Sequence, residues 1–315
     1  MTRKIILTIV FLSITIAFAA AQALTVTYLD GTVEVQTAKG WKALDVGSAV
    51  QPDAHIRVSD GGTVELARGA QHISIIKDGS YTVSDLLKSS AKPGESGVGV
   101  SLAKKLRSVA SGNGQSSTTV GGVRGAAQGD KTQGLTWMGD DDETSTKVRS
   151  LLDKNRYKEA EAEIKQALSD TQDDMKKNDL SFLLASAYYG EGESAQAYHT
   201  LVALKDNSAS MYYPDSVILK AQILLDNQAY ADSAALLKDF LAASPDSQYA
   251  QVCYLLSAYS YKGLGDKQSE KDALDKGLAL DPQSDTAKQI AKMQGECPAR
   301  LLDHGHTATG RWLFF

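Results

Sequence analysis

Between residue 24 and about residue 88, apolar and polar side chains alternate with a period of two. In Val26-Thr27-Tyr28-Leu29-Asp30-Gly31-Thr32-Val33-Glu34-Val35, two alternating runs flank an Asp-Gly pair, which predicts a hairpin turn between two strands. The same grammar recurs in Ile56-Arg57-Val58, Asp60-Gly61-Gly62 and Thr63-Val64-Glu65-Leu66. It returns in His72-Ile73-Ser74-Ile75-Ile76 before Asp78-Gly79, and in Tyr81-Thr82-Val83. Short strands punctuated by glycine predict a small all-β sandwich or roll, with Trp41 and Leu44 packed under it.

From Asp141 the period changes to 3.6 residues and a longer self-similarity sets in. A small residue, a Tyr or Leu three positions on, and a Gly or Asn at a turn recur. The first register has Val148, Asn155, Tyr157, Ala160, Ile164 and Ala167, and the second Ala185, Tyr188, Gly192, Ala197 and Leu201. The third has Ala221, Leu224, Tyr230, Leu237 and Pro245, and the fourth Ala258, Tyr261, Gly265, Leu274 and Pro282. Units start near 141, 178, 214 and 251, a spacing of 36 to 37 residues. Facing small residues such as Ala185 and Ala197 let two helices approach closely, while Gly or Asn supplies the left-handed turn between them. Pro245 and Pro282 end the second helix of their units, and Lys288 to Met293 continue as a capping helix. Val148 and Glu270 depart from the small residue expected at their positions.

The ordered blocks Asp30-Gly31-Thr32-Val33-Glu34-Val35, Trp41-Lys42-Ala43-Leu44, Val46-Gly47, Ile56-Arg57-Val58 and Thr63-Val64-Glu65-Leu66 resemble the FecR domain, a β domain of the bacterial envelope. That family often follows this block with Val-Arg-Gly-Thr; here Val123-Arg124-Gly125 is followed by Ala126. Signalling members carry an anti-sigma segment and a membrane helix before the domain, which this chain does not show, so the resemblance does not imply sigma-factor regulation. The helical units resemble the tetratricopeptide repeat (TPR), whose usual length is 34 residues. That resemblance implies a concave face lined by the first helices, which would expose Phe182, Ser186, Tyr189, Gln222, Leu225, Tyr259 and Lys262 to a protein partner. Phe182 and Tyr259 fit packing between repeats equally well.

Export is read from the amino terminus. Arg3 and Lys4 precede an uncharged run from Ile5 to Ala21, closed by Ala19-Ala20-Ala21 and Ala21-Gln22-Ala23. This predicts a signal peptide over 1–23, cut after Ala21 or Ala23. An uncleaved anchor is the alternative, and only then would the protein be held at a membrane. No cysteine near the cut offers a lipid attachment point. Removal of Arg3 and Lys4 takes the net charge from −5 to −7, which gives no basic surplus for nucleic acid. Residues 89–140 are rich in Gly and Ser and read as a solvated linker, unless Val120 to Ala127 adds a late strand and extends the β domain to about 128. Six basic residues against two acidic ones over 89–138 make this stretch cationic, and it abuts Asp140-Asp141-Asp142-Glu143. Gly121-Gly122-Val123-Arg124-Gly125 lacks the Lys-Ser/Thr of a phosphate loop.

Chemistry-bearing constellations are sparse. His304-Gly305-His306 is the closest histidine pair, with only Asp303 beside it, so no metal is expected. No Gly-x-Ser-x-Gly or His-Glu-x-x-His occurs, and Asp173-Asp174 reads as a solvated face. Cys253 falls on an apolar helix face; an oxidising compartment would let it pair with Cys297. The 293–315 tail ends in Gly310-Arg311-Trp312-Leu313-Phe314-Phe315, read as a docking strand or disordered tail.

The sequence therefore predicts a multi-domain α and β protein: a small all-β FecR-like domain over 24–88 and an α-helical TPR-like solenoid of about four units over 141–292. The expected function is that of an exported, non-enzymatic scaffold of the periplasm or cell envelope, without cofactor. A protein partner would bind the helical groove, and a second ligand, protein or glycan, the β domain. A FecR-related sensing regulator and a TPR-targeted cell-wall enzyme are the rival readings.

Overall fold

The computed structural model describes residues 23–69, 71–90, 143–204, 210 and 212–295. It divides into two compact units at Asp215/Ser216. The division falls inside a helix rather than in the 89–140 segment, so the β domain and the first two helical pairs share one unit.

In that first unit, β1 (Leu24–Thr37), β2 (Gly40–Ala43), β3 (Ala49–Val50), β4 (His55–Arg68), β5 (Gln71–Ile75) and β6 (Gly79–Thr82) form one antiparallel sheet. Its order is β2-β1-β4-β5, with β3 added to β1 and β6 to β4. The Asp-Gly pairs do not make the expected hairpin turns. Asp30-Gly31 lies inside β1, and Asp60-Gly61-Gly62 inside β4. Asp30 pairs with Thr63 and Thr32 with Ser59, so residues 60–62 bulge opposite Gly31.

Gly31, Asp60 and Gly61 all take left-handed φ values, of 71°, 59° and 70°. A Cβ on Gly31 would lie 2.8 Å from the Gly62 Cα, so these strands can meet only where both lack side chains. Asp-Gly supplies the same backbone to a two-residue turn and to a bulge; strand pairing between β1 and β4 decides which one forms. The kinks fold the sheet around a single core. Leu24, Val26, Val64, Leu66, Ile73 and Ile75 enter it from one side of the kinks, and Val33, Ile56 and Val58 from the other. Each such fully buried side chain is worth about 1.5–3 kcal/mol.

Leu44 joins this core as expected, but Trp41 does not: it is 37% exposed, and the Arg57 guanidinium lies 4.6 Å from its ring. Trp41 sits on β2, whose four residues are all exposed. Tyr81 and Thr82 are in β6, but Val83 is not in a strand. It opens α1 (Val83–Ser90) and plugs the core at 0% exposure.

The further helices of the first unit are α2 (Glu143–Asp153), α3 (Tyr157–Asp170), α4 (Asp174–Glu191) and α5 (Ser194–Val202). Then come α6 (Tyr213–Asp226), whose start belongs to the first unit, α7 (Tyr230–Ala243), α8 (Ala250–Leu264), α9 (Lys267–Leu280) and α10 (Asp285–Gln294). Four turns carry a left-handed residue, at Asn155, Gly192, Gln228 and Gly265, and the next helix begins two residues later each time. The sequence spacing of 36 to 37 residues is thus the spacing of the turns. Only Gln228 escapes the sequence pattern, a non-glycine held at φ 59°.

A second likeness has twice that period. The Tyr157 ring occupies the space a Cβ on Gly190 would take, and the Tyr230 ring does the same at Gly263, with closest approaches of 2.4 and 2.5 Å. Each tyrosine opens the second helix of one hairpin, and each glycine lies near the end of the first helix of the next.

In the second unit, α7 ends at Ala243 and α9 at Leu280, each followed by one non-helical residue, Ser244 or the extended Asp281, before Pro245 or Pro282. The pyrrolidine ring disfavours helix in the residue before it. Leu255, Ala258, Ala273, Leu274 and Ile290 form a core shared by α8, α9 and α10. Gln251, 9% exposed, ties these helices together. Its Nε2 donates to the carbonyls of Gly277 (3.0 Å) and Asp281 (2.7 Å), and its Oε1 accepts from the Ser284 hydroxyl at 2.6 Å. Ser284 in turn caps α10 by accepting from the Ala287 N–H.

Candidate functional site

The seven residues expected on a partner-binding face fall into both compact units. In the first, Phe182 is not exposed: it is 6% accessible and stacks on Tyr212 with ring centroids 4.9 Å apart. Arg149 Nε donates to the Tyr212 hydroxyl at 2.8 Å, which holds the stacked ring in place. The Ser186 hydroxyl donates to the Phe182 carbonyl at 3.0 Å, and Tyr189 is half-buried. In the second unit, Gln222 is buried as well, its Nε2 donating to Asp226 Oδ1 at 2.8 Å. Leu225 is half-buried, and Tyr259 packs against the Leu255–Ile290 core, burial raising its phenol pKa. Lys262 is exposed in the last turn of α8, where a cation complements the helix dipole. Helical periodicity cannot distinguish a concave face from a face covered by a neighbouring element, which is why Phe182 and Gln222 were misplaced. Val123, Arg124 and Gly125 lie outside the described residues, as do His304, His306 and Cys297.

The most elaborated polar arrangement joins the sheet to α5, within the first unit. β4 is buried on both faces from Gly62 to Leu66. Val64 and Leu66 point into the sheet core, so the alternate residue Glu65 points the other way, towards α5. Its carboxylate is 0% exposed. Glu65 Oε2 accepts from the Ser74 hydroxyl at 2.8 Å and from the backbone N–H of Ala195 at 3.0 Å.

Ala195 is the second residue of α5, and Glu193, the residue before that helix, makes no side-chain cap. A strand carboxylate 130 residues away in sequence therefore caps α5. It accepts one of the helix's unsatisfied N–H groups and sets a negative charge at the positive end of the dipole. Glu65 Oε1 faces His72 Nδ1 across 3.7 Å, and both atoms are buried without a hydrogen-bond partner. The Glu65 carboxylate raises the His72 pKa; burial opposes it, Glu193 adds to it and Lys158 subtracts.

Around this centre, Tyr28 on β1 lies 6.0 Å from the His199 ring of α5, and His199 Nε2 is 3.5 Å from Asp30. Burial, with smaller effects of Asp30 and Tyr188, pushes the Tyr28 phenol up to about 12. Gly192, in the α4–α5 turn, sits against the His72 ring, which a Cβ there would meet at 3.8 Å. Lys158 on α3 bridges Glu161 and Glu193, each at 3.3 Å, and also pairs with Glu191. Nothing in the sequence pairs Glu65 with Ala195; the available signal was a glutamate between the apolar residues Val64 and Leu66 of a strand.

Asp173, read as part of a solvated face, caps α4 by accepting from the N–H groups of Met175 and Lys176. Cys253 is fully buried, and burial pushes its thiol up to about 12. Among the described residues, no group of three or more His, Cys, Asp or Glu side chains could hold a metal ion, and no helix is long and apolar enough to cross a membrane. No family model, no curated protein and no solved structure matches this chain.

Proposed function

We propose that the chain is an exported, non-enzymatic scaffold of the bacterial periplasm or cell envelope. It engages a protein partner through its TPR-like helical hairpins and a second ligand, protein or glycan, through its FecR-like β domain. The observation that carries this reading is the repetition of one hairpin. Left-handed turns recur at Asn155, Gly192, Gln228 and Gly265, and the tyrosine-on-glycine packing recurs at Gly190 and Gly263. Repeated hairpins bury their apolar faces against one another and leave their remaining faces for recognition. Of the expected groove residues, Lys262 is exposed and Tyr189 is a half-buried aromatic, a cation and a ring of the kind that anchors a partner. β1 starts at Leu24, just beyond both expected cut sites, so cleavage at either would leave the sheet whole.

The test is photocrosslinking in intact cells, with the reactive side chain placed at 189, at 262, or at the exposed control position Lys276 on α9. The expected result is a defined envelope protein captured from 189 or 262 and absent from 276. Identical products from all three positions, or none from any, would overturn the assignment.

A further inference from the structure

The contact between the sheet and α5 has the composition of a proton-controlled clasp. Glu65 is fully buried, and one oxygen is satisfied by Ser74 and the Ala195 N–H. The other oxygen faces only the buried Nδ1 of His72. With an unprotonated Nδ1, two lone-pair-bearing atoms face each other in a site closed to water, a costly arrangement. A proton on Nδ1 turns that atom into a donor towards Oε1, and in the imidazolium, with both ring nitrogens protonated, a positive charge also offsets the buried carboxylate, an offset that deprotonation removes.

We propose that protonation of His72 clasps the α4–α5 hairpin to the sheet, and that its deprotonation loosens this hold, making the first compact unit responsive to pH. The inference is independent of the scaffold reading.

Every element packed at the clasp contributes its charges. Glu65 comes from β4, and His72 with the hydroxyl of Ser74 from β5. Glu193 lies in the turn before α5, Lys158 on α3 and Glu191 at the end of α4. At the rim, Asp30 of β1 faces His199 of α5, with side chains about half exposed, so solvent screens that pair. Around His72 itself, Glu65 and Glu193 favour the imidazolium and outweigh burial and Lys158. A histidine whose folded pKa is raised contributes stability that is fully present below its unfolded pKa of about 6.5 and is lost as pH rises through the higher folded value. The clasp is therefore tight in mild acid and loosens towards alkaline pH.

Hydrogen–deuterium exchange on the full chain from pH 5.5 to 9 reads the clasp directly. In the wild type, residues 194–202 are expected to lose protection as pH rises, beyond the change due to intrinsic exchange chemistry. His72→Gln should abolish that additional pH dependence, and His199→Gln should retain it. An unchanged pH dependence in His72→Gln, or none in the wild type, would overturn the proposal. Should His72→Gln fail to fold, NMR titration of His72 in the wild-type chain decides the matter. A pKa above that of a free imidazole supports the clasp, and one at or below it refutes it.

Discussion

Glu65 shows how one side chain can be locally ordinary and globally decisive. In the strand Thr63-Val64-Glu65-Leu66 it occupies the polar phase of a period-two pattern and is expected to face water. Instead it is wholly buried and caps a helix 130 residues further on. The partner is a backbone N–H, which leaves no mark on sequence, so no residue pattern could have disclosed it. Gln251 is similar: its two donated hydrogen bonds end on the backbone carbonyls of Gly277 and Asp281. Cys253 was legible, because its place on an apolar helix face sufficed to predict burial. With its thiol pushed up to about 12, almost no thiolate exists at neutral pH. In a Cys297→Ser variant, Cys253 should resist alkylation at pH 7.5 until denaturant opens the second unit. Rapid labelling of the native protein would show that α8 is not packed as described.

Among the elements, the helices were the more legible because their determinants are local. The recurrence of small residues, turn residues and prolines placed the hairpins, and the structure returns the same spacing through its left-handed turns. The strands were found, but their connection was not. Asp30-Gly31 and Asp60-Gly61-Gly62 carry a hairpin signal, yet they kink two strands that pair with each other along most of their length. Val83 continued the apolar pattern of a strand although the chain there turns into α1. The kink can be tested by two single substitutions at similar φ. Gly61→Ala meets nothing within 4 Å, so only the left-handed backbone opposes it, at about 1–2 kcal/mol. Gly31→Ala meets the same backbone penalty and also the Gly62 Cα at 2.8 Å. Its Cβ has only backbone to displace, so overpacking of about 1–3 kcal/mol is expected on top. Chemical denaturation should rank the two in that order; equal losses would mean that the strands do not cross at the glycines.

At the scale of the whole molecule, the expected boundary was the Gly/Ser-rich 89–140 segment, because composition marks linkers well. The compact units divide at Asp215/Ser216, and the sheet shares the first with α2 to α5. Composition does not reveal docking between distant segments, and within this unit the docking rests on Glu65, His72 and Tyr28 against α5 and the turn before it. On this view the β domain is a built-in part of the first helical body rather than a separate head. Denaturant-dependent hydrogen exchange of the full chain, wild type beside Glu65→Ala, tests this most directly. In the wild type, β4, β5 and α5 should open together as one cooperative unit. Glu65→Ala should lower the opening free energy of all three by about 1.5–3 kcal/mol, the range for a hydrogen bond to a charged group, while α8 and α9 keep their wild-type protection. If α5 opens well before the sheet in the wild type, or if Glu65→Ala leaves α5 unchanged, the sheet and the helices are separate bodies and the account fails.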